Sequence, residues 1–422
     1  MTRPALASPA AGAGDLRVIA VVGVAHGLSH FFQLIIAPLF PWLKDAFALS
    51  YSELGLLMSV FFVVSGVGQA LSGFLVDRVG PVPVMVGSIG LFAGAAAVLA
   101  ISPSYAALML GAALAGLGNA SFHPVDYSIL NSRISSDRIG HAYAMHGVSG
   151  SIGWALAPLF LIGIAQWAGW RQALASASVL ALAVLLLVWT NRDALRMAPR
   201  LVAEAGGAAG TPAAAPPGTG GVLDFLKLPA IWLSFAFFFA GSLALSGVQS
   251  FGTEAARQLH AVPMSWAAWC LTAYMLASAC GTVAGGFLAG RTQRAEQVIG
   301  ICFTLAAALA LSVAFVPWPG WIVPVLFALM GVAAGIAYPA RDMLIRGATP
   351  PGATGRVYGI VYSGMDTGMA VAPFIYGLLM DLHSPALVWV GIAVAQVAMI
   401  VGALGTGRAA RSQHGHAAAQ AL

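Results

Sequence analysis

Residues 140–158 read GHAYAMHGVSGSIGWALAP, and residues 355–373 read GRVYGIVYSGMDTGMAVAP. Both stretches carry a Gly, a Tyr, a second Gly and an Ala-Pro pair at the same relative places. Two other residues of the first half recur at the same offset, Gly116 as Gly331 and Pro124 as Pro339. Ordered matches at one constant offset indicate an internal repeat. The chain is therefore predicted to consist of two related halves.

The composition indicates a membrane protein. Hydrophobic residues make up 59% of the 422 residues and charged residues only 8%, whereas a soluble domain carries about 25% charged residues. This excludes a soluble enzyme, a disordered protein and, since the three cysteines form no disulfide pattern, a secreted disulfide scaffold.

Twelve apolar runs are long enough to cross a bilayer, which takes about 20 mostly apolar residues in a helix. They are 18–43, 52–76, 81–101, 104–132, 140–165, 170–190, 229–252, 264–289, 296–316, 320–346, 355–380 and 384–406. The runs are too long for the strands of a membrane barrel. The predicted fold class is an all-α membrane protein with twelve transmembrane helices.

The distribution of Lys and Arg predicts the orientation. With a cytoplasmic N-terminus, 15 of the 19 Lys and Arg residues fall in cytoplasmic segments, only Lys44, Arg171 and Arg257 fall in outer loops, and Arg341 lies within a helix. Cytoplasmic loops of membrane proteins carry an excess of these residues. We therefore expect both termini in the cytoplasm and the protein in a bacterial cytoplasmic (inner) membrane, with the first helix retained as a signal anchor.

The low-complexity stretch AEAGGAAGTPAAAPPGTGG separates the sixth helix from the seventh and cannot form a core. The predicted parts are a flexible N-terminal tail (1–17), an N-terminal six-helix bundle (18–190), a cytoplasmic linker (191–228), a C-terminal six-helix bundle (229–406) and a flexible C-terminal tail (407–422). Because both halves begin on the same side, they are expected to be parallel repeats related by an axis along the membrane normal.

The segment GFLVDRVG, at 73–80, resembles the G-x-x-x-D-R-x-G loop of the major facilitator superfamily of secondary transporters. Ser29-His30-Phe31-Phe32 and Phe122-His123-Pro124 are similar to the fosmidomycin-resistance branch of that superfamily. The resemblance implies the major facilitator fold, two six-helix pseudo-repeats in which helices one, four, seven and ten line a central cavity. It also implies a gating loop, formed by Asp77 and Arg78 and by Arg291 of the second half, whose charges cap helix ends and latch the two halves.

Polar and ionisable side chains inside the predicted helices are candidates for binding substrate or protons, because such groups are costly in a membrane and usually functional. On helices one and four they share one face, and at about 1.5 Å per residue most lie at mid-membrane or in the inner half. The candidates are His26, His30, Gln33, Asn119, His123, Asp126, Tyr143, His146 and Asp366.

Three interpretations of the histidines remain open. Imidazole titrates near neutral pH, and a carboxylate such as Asp126 would stabilise its protonated form, which suits proton coupling and attraction of an anionic substrate. Alternatively, the histidines serve as interhelical hydrogen-bonding groups. A metal site is the third interpretation, since His26, His123 and His146 could supply three imidazoles, but no CxxC or HExxH spacing supports it. The prediction is no metal and no cofactor.

The sequence predicts a secondary active transporter of a small organic solute, coupled to protons and working by alternating access, with drug or metabolite efflux slightly favoured. Proton-coupled uptake of an organic anion is the alternative, and a non-transporting receptor on the same fold is the rival class. No Walker A loop is present, so ATP is not expected to drive it, and no enzymatic activity is predicted. The expected partners are the solute, protons and membrane lipid, without nucleic acid, and the protein is expected to be a monomer.

The orientation can be tested with a reporter enzyme fused after Thr211, in the linker between the halves. Because the Lys and Arg bias places this linker in the cytoplasm, we expect the fusion to be active with a cytoplasmic reporter and inactive with a periplasmic one. The opposite pattern would invert the topology.

Overall fold

The computed structural model describes residues 9–135, 138–196, 229–289, 295–348 and 354–420. Within these ranges every regular element is a helix, which confirms the predicted all-α class. Before the linker the helices are α1 Pro9–Gln33, α2 Phe40–Phe47, α3 Tyr51–Val79, α4 Pro81–Ile101, α5 Tyr105–Asn119, α6 Phe122–Arg133, α7 Ile139–Ala168, α8 Trp170–Thr190 and α9 Arg192–Leu195. After the linker they are α10 Pro229–Gly247, α11 Thr253–His260, α12 Met264–Ala289, α13 Ala295–Phe315, α14 Val323–Ala348, α15 Thr354–Asp381 and α16 Pro385–Gln420.

The long helices coincide with the predicted crossings. In the described ranges, eleven helical stretches are long and apolar enough to span a membrane. The remaining predicted crossing, 355–380, corresponds to α15, whose 28 residues exceed the length that a bilayer requires. Helices α1 and α16 also extend into the two segments predicted as terminal tails.

The first predicted run, 18–43, does not form one helix. Helix α1 ends at Gln33, a 3₁₀ turn covers Ala37–Leu39, and α2 begins at Phe40. Pro38 and Pro41 lack the backbone N–H groups with which a continuous helix would bond its preceding turn. Hydropathy does not register this break, because the segment is apolar throughout.

Helix seven extends beyond its predicted end at residue 252. Helix α10 passes through a π-helical turn, Val248–Gly252, into α11, which ends at His260. In α11 the Arg257 Nε atom lies 2.8 Å from Glu254 Oε2, so oppositely charged neighbours on one turn support the helix after the apolar run ends.

Helix four is interrupted between α5 and α6. Pro124, in the first turn of α6, has no N–H to bond the carbonyl of Ala120. The hydroxyl of Ser72 lies within hydrogen-bond distance of that carbonyl, at 3.2 Å, and of the carbonyl of Gln69, at 2.9 Å. A side-chain donor thus stands beside the carbonyl that the proline leaves without its helical partner, which matters in a medium without water.

The charged pair Asp77 and Arg78 lies in the last turn of α3, where both side chains are exposed, and not in the predicted loop. The chain reverses at Gly80 alone, whose φ of 86° is one that residues with a side chain rarely adopt. Pro81 then occupies the first turn of α4, whose N-terminus has no side-chain cap. Asp77 was expected to cap a neighbouring helix end, but it does not cap α4.

The chain forms two compact units. The first comprises Met1–Ile35, Val64–Ala157 and Arg171–Ala214, and the second comprises Ile36–Val63, Pro158–Trp170 and Ala215–Leu422. Helices α3 and α7 each contribute one part to either unit. The six-plus-six division of the sequence remains a prediction.

Glycines set the helix packing inside each unit. In the first unit, a Cβ atom on Gly153 of α7 would lie 2.0 Å from the carbonyl oxygen of Gly27 on α1, so the two backbones are in direct contact. In the second unit its repeat counterpart, Gly368 of α15, would place a Cβ atom 2.7 Å from the carbonyl oxygen of Phe239 on α10. Small residues at such crossings let membrane helices approach closely.

In the second unit, the first turn of α3 is capped by a residue far along the chain. The backbone N–H groups of Tyr51 and Ser52 donate to the carboxylate of Asp381 at 2.7 and 2.9 Å. Partial burial raises the pKa of Asp381, but the hydrogen bonds from Ser52 and Tyr51 and the charge of Lys44 lower it by more, so the pKa lies below its ordinary value. The carboxylate thus supplies the negative charge that a helix N-terminus favours.

Two alanine substitutions on α7 test the glycine packing. Gly153→Ala is expected to lower the free energy of unfolding by about 1–3 kcal/mol, because the methyl group meets a rigid backbone oxygen. Gly147→Ala is the matched control, since its Cβ atom would meet open space, and the helix propensity of Ala is expected to leave stability equal or raised. Thermal unfolding of the purified variants in detergent provides the comparison, and equal midpoints would contradict the proposed contact.

Candidate functional site

Four of the predicted residues meet inside the first unit, in a group that we call the His–Asp cluster: His26, His123, Asp126 and His146. The carboxylate of Asp126 has no exposed surface. Its Oδ2 atom shares a hydrogen bond with His146 Nε2 at 3.0 Å and lies 2.9 Å from His26 Nδ1. One buried carboxylate oxygen therefore hydrogen-bonds one imidazole and lies close to a second. Among the described residues, His26 Nδ1 and Asp126 Oδ1 have no hydrogen-bond partner.

Local structure explains how the cluster is assembled. His26 comes from α1, Asp126 from the second turn of α6 after the break at Pro124, and His146 from α7. The carbonyls of His26 and His146 each accept a hydrogen bond from a serine hydroxyl three residues later, at 2.9 and 2.8 Å. The contact between Gly27 and Gly153 brings α1 and α7 close enough for their imidazoles to touch.

The imidazole rings of the cluster are packed together. His26 and His146 are stacked, with ring centroids 3.5 Å apart and an interplanar angle of 24°. His123 lies 5.5 Å from His26 and 6.3 Å from His146. Two positive charges at such distances in a medium of low dielectric constant repel strongly. The arrangement therefore favours a single shared proton over two.

A second polar group, which we call the amide chain, runs from Trp154 through Gln33 and Asn119 to Ser65. Trp154 Nε1 donates to Gln33 Oε1 at 3.0 Å, Gln33 Nε2 to Asn119 Oδ1 at 3.3 Å, and Asn119 Nδ2 to Ser65 Oγ at 2.8 Å. Four helices are joined by these three bonds. The sequence indicated Gln33 and Asn119 but neither Trp154 nor Ser65, although Trp154 lies eight residues after His146 and thus near the same face of α7.

His30 lies between the two groups. Its ring centroid is 4.5 Å from that of His26 and 4.3 Å from that of Trp154. Gly150 makes room for it, since a Cβ atom there would be 2.7 Å from the imidazole Cε1. Both ring nitrogens are buried, and neither has a hydrogen-bond partner among the described residues. A buried imidazole needs such partners, so His30 is available to hydrogen-bond a solute.

The other predicted residues lie elsewhere. The hydroxyl of Tyr143 donates to Asn131 Oδ1, and its ring is 5.4 Å from Tyr127. Asp366 lies on α15 in the second unit and is half-buried. Arg291, the predicted gating residue of the second half, is outside the described residues.

Metal binding is a further chemistry that the cluster allows. His26, His123 and His146 each offer one ring nitrogen, and these nitrogens all lie within 4.8 Å of one another. Imidazole nitrogens and carboxylate oxygens are the donors that zinc sites use. The same atoms can hold a proton, and Asp126 and His146 are already joined by a hydrogen bond of 3.0 Å.

Comparison with known proteins defines the class. The profile described as Major Facilitator Superfamily matches residues 22–265 and 249–420. The chain belongs to this superfamily, which confirms the predicted twelve-helix fold, an integral multi-pass membrane protein and transport of small solutes as the family's activity.

Individual relatives refine the comparison. The chain is 26% identical over 383 residues to the fosmidomycin resistance protein of Escherichia coli (strain K12), covering 88% of each chain. It is 28% identical over 181 residues to the membrane sensor protein UhpC of Salmonella typhimurium (strain LT2), covering 42% of this chain and 40% of that one. The crystal structure of a D-xylose-proton symporter shares the fold, with a TM-score of 0.73 at 14% identity over 93% of this chain and 97% of that one.

The amide chain can be tested by a double-mutant cycle. Gln33→Leu removes the acceptor of the Trp154 indole N–H and the donor to Asn119 Oδ1, so we expect it to lower the free energy of unfolding by about 1–3 kcal/mol. Trp154→Phe removes one donor. Because both substitutions break the same bond, the double variant should lose less free energy of unfolding than the two single losses added together. Trp167→Phe, at a position 80% exposed, is the control. Strict additivity in thermal unfolding would contradict the bond between Trp154 and Gln33.

Proposed function

We propose that the protein is a proton-coupled secondary transporter of a small organic solute, working by alternating access, with efflux favoured over uptake. The observation that supports this most directly is the fully buried Asp126 carboxylate between two imidazoles. The proposal goes beyond membership of the superfamily by assigning coupling to the His–Asp cluster and solute contact to His30 and the amide chain.

Proton coupling is supported by the net charge of the His–Asp cluster. With Asp126 ionised and the three imidazoles neutral, the cluster carries one net negative charge, and one added proton brings that charge to zero. A buried uncompensated charge is costly. The neutral, protonated cluster therefore tolerates exclusion from water better than the negatively charged cluster does. A carrier whose cavity opens to one side and then the other can use this difference, because the proton is taken up on one side and released on the other.

Solute contact is supported by the two ring nitrogens of His30, which have no partner among the described residues, and by the hydrogen-bonded amide chain beside them. His30 offers two ring nitrogens, Gln33 and Asn119 supply amides, and Trp154 supplies a flat apolar surface beside them. A few convergent polar groups around an aromatic wall are typical of sites for small molecules. They suit a small polar or amphipathic solute.

Efflux is favoured by the similarity to the fosmidomycin resistance protein over 88% of the chain. Uptake of an organic anion is the alternative, because protonation removes the net negative charge of the cluster and lets an anion approach. We also propose that both termini face the cytoplasm, that the protein works as a monomer in the bacterial inner membrane, and that Asp77, Arg78 and Arg291 act in gating and do not bind substrate.

A receptor that binds a solute without moving it is the second candidate. The similarity to a membrane sensor protein over 42% of the chain favours it. A receptor has no need to exchange protons between the two sides of the membrane, so proton movement distinguishes the two classes.

The first measurement is the pH change outside proteoliposomes when a panel of organic anions and antibiotics, fosmidomycin first, is added. Antiport is expected to acidify the outer solution and symport to make it alkaline. If binding is detected by thermal shift but no solute changes the pH, the receptor candidate replaces the transporter.

The second measurement assigns the coupling group. We expect His30→Ala and His123→Ala to abolish accumulation driven by a pH gradient, while counterflow without a gradient partly survives, and Asp126→Asn to behave like His123→Ala. His141→Ala, an exposed histidine on α7, is the control and should transport like the parent protein. If the histidine variants still accumulate solute and Asp366→Asn does not, helix α15 carries the proton and the cluster is structural.

A further inference from the structure

A groove of 570 Å³ opens in the first unit at the ends of three membrane-spanning helices. It is lined by the end of α3, the first turns of α4, the end of α8 and the short helix α9. The membrane-spanning stretches Tyr51–Val79, Pro81–Ile101 and Trp170–Thr190 all begin or end beside it. The groove therefore lies at the level where hydrocarbon gives way to lipid headgroups.

One wall of the groove is positively charged. Arg192 and Arg196 are its ionisable lining residues, and none of the described lining residues is acidic. Among the described residues, Arg192 donates one hydrogen bond, from Nη1 to the carbonyl of Trp189 at 3.1 Å, out of the five N–H donors of a guanidinium. Arg196 is paired with Asp193 at 3.3 Å, with both side chains more than two-thirds exposed. Exposed pairs of this kind are weak, so Arg196 can exchange its partner.

The opposite wall is apolar and ends at a helix N-terminus. Val79, Val82 and Val86 form its surface together with two prolines of α4. The N-terminus of α4 carries no side-chain cap, and its positive dipole end faces the same groove. A ligand that fits both walls therefore has an anionic group next to an apolar chain.

Trp189 joins the two walls. It lines the groove, is 52% exposed, and holds the guanidinium of Arg192 over its ring at 4.7 Å. Tryptophan is enriched at the headgroup level of membranes, because its ring is amphipathic. The stacking also fixes the direction of the guanidinium, which reduces the entropy lost on binding.

We infer that this groove binds an anionic phospholipid, with the phosphate held by Arg192 and Arg196 and the acyl chains on the valine wall. Arginine forks match phosphate oxygens in pairs, and basic pockets beside membrane helices bind anionic headgroups. The inference concerns a surface away from the His–Asp cluster and does not depend on the proposed transport activity.

The test is native mass spectrometry of the full-length protein in detergent, titrated with phosphatidylglycerol or with phosphatidylcholine of the same acyl chains. We expect phosphatidylglycerol to bind at least about tenfold more tightly, and the double variant Arg192→Gln/Arg196→Gln to lose that preference, since charge-assisted hydrogen bonds are lost. Arg133→Gln, an exposed arginine at the end of α6 that does not line the groove, is the matched control and should keep the preference.

Three outcomes would overturn the inference: equal binding of the two lipids, a preference unchanged in the glutamine variant, or competition by inorganic phosphate as effective as that by the lipid, which would indicate a free-anion site. The variant Arg192→Lys/Arg196→Lys keeps the charge and should retain part of the preference. If the glutamine variant elutes as a misfolded protein, the lysine variant is used for the test instead. The measured quantity is then its ratio of phosphatidylglycerol to phosphatidylcholine binding. A ratio of one would overturn the inference.

Discussion

The carboxylate of Asp126 has no exposed surface, and three helices of the first unit meet around it. In hydrocarbon neither water nor lipid can hydrogen-bond such a group, so its partners must come from the protein. His146 supplies one hydrogen bond to Asp126. The imidazole of His26 lies 2.9 Å from the same oxygen, because α1 and α7 cross in backbone contact at Gly27 and Gly153. The polar cluster and the glycine crossing are thus parts of one arrangement. A larger side chain at the crossing would separate the imidazoles from the carboxylate.

The same constraint divides the polar residues into two kinds. The amide chain is satisfied, since three hydrogen bonds join its four side chains. His30 is not, because both of its ring nitrogens are buried without a partner in the described structure. Satisfied chains give rigidity, whereas an unsatisfied buried group raises the free energy of the protein until a ligand or a proton pairs with it. The position of His30 between rigid groups is what makes it suitable for binding.

Much of this arrangement could be predicted from the sequence, because it depends on periodicity. The lengths of the apolar runs predicted the membrane crossings. The spacing of polar residues on helices one and four placed His26 with His30, and His123 with Asp126, on shared helix faces. The sequence could not show which crossing angle brings His146 onto the same carboxylate oxygen, since that depends on contact between glycines distant in the chain. Trp154 and Ser65 were missed because an aromatic ring or a hydroxyl in a membrane helix carries no distinctive spacing. Breaks at Pro38 and Pro124 were missed because hydropathy ignores the backbone.

The cap on α3 has a consequence for biosynthesis. Its acceptor, Asp381, follows Tyr51 by 330 residues, so the N–H groups of Tyr51 and Ser52 emerge from the ribosome long before their partner exists. At translation rates of about 5–20 residues per second, this delay is roughly 15–65 s. During that time the start of α3 must be held by water at the membrane surface or by the insertion machinery. A nascent chain stalled before α15 would have only the local cap of this helix end, in which Ser50 and Glu53 bond each other's backbone N–H groups. The N–H groups of Tyr51 and Ser52 would lack their carboxylate acceptor until Asp381 is made.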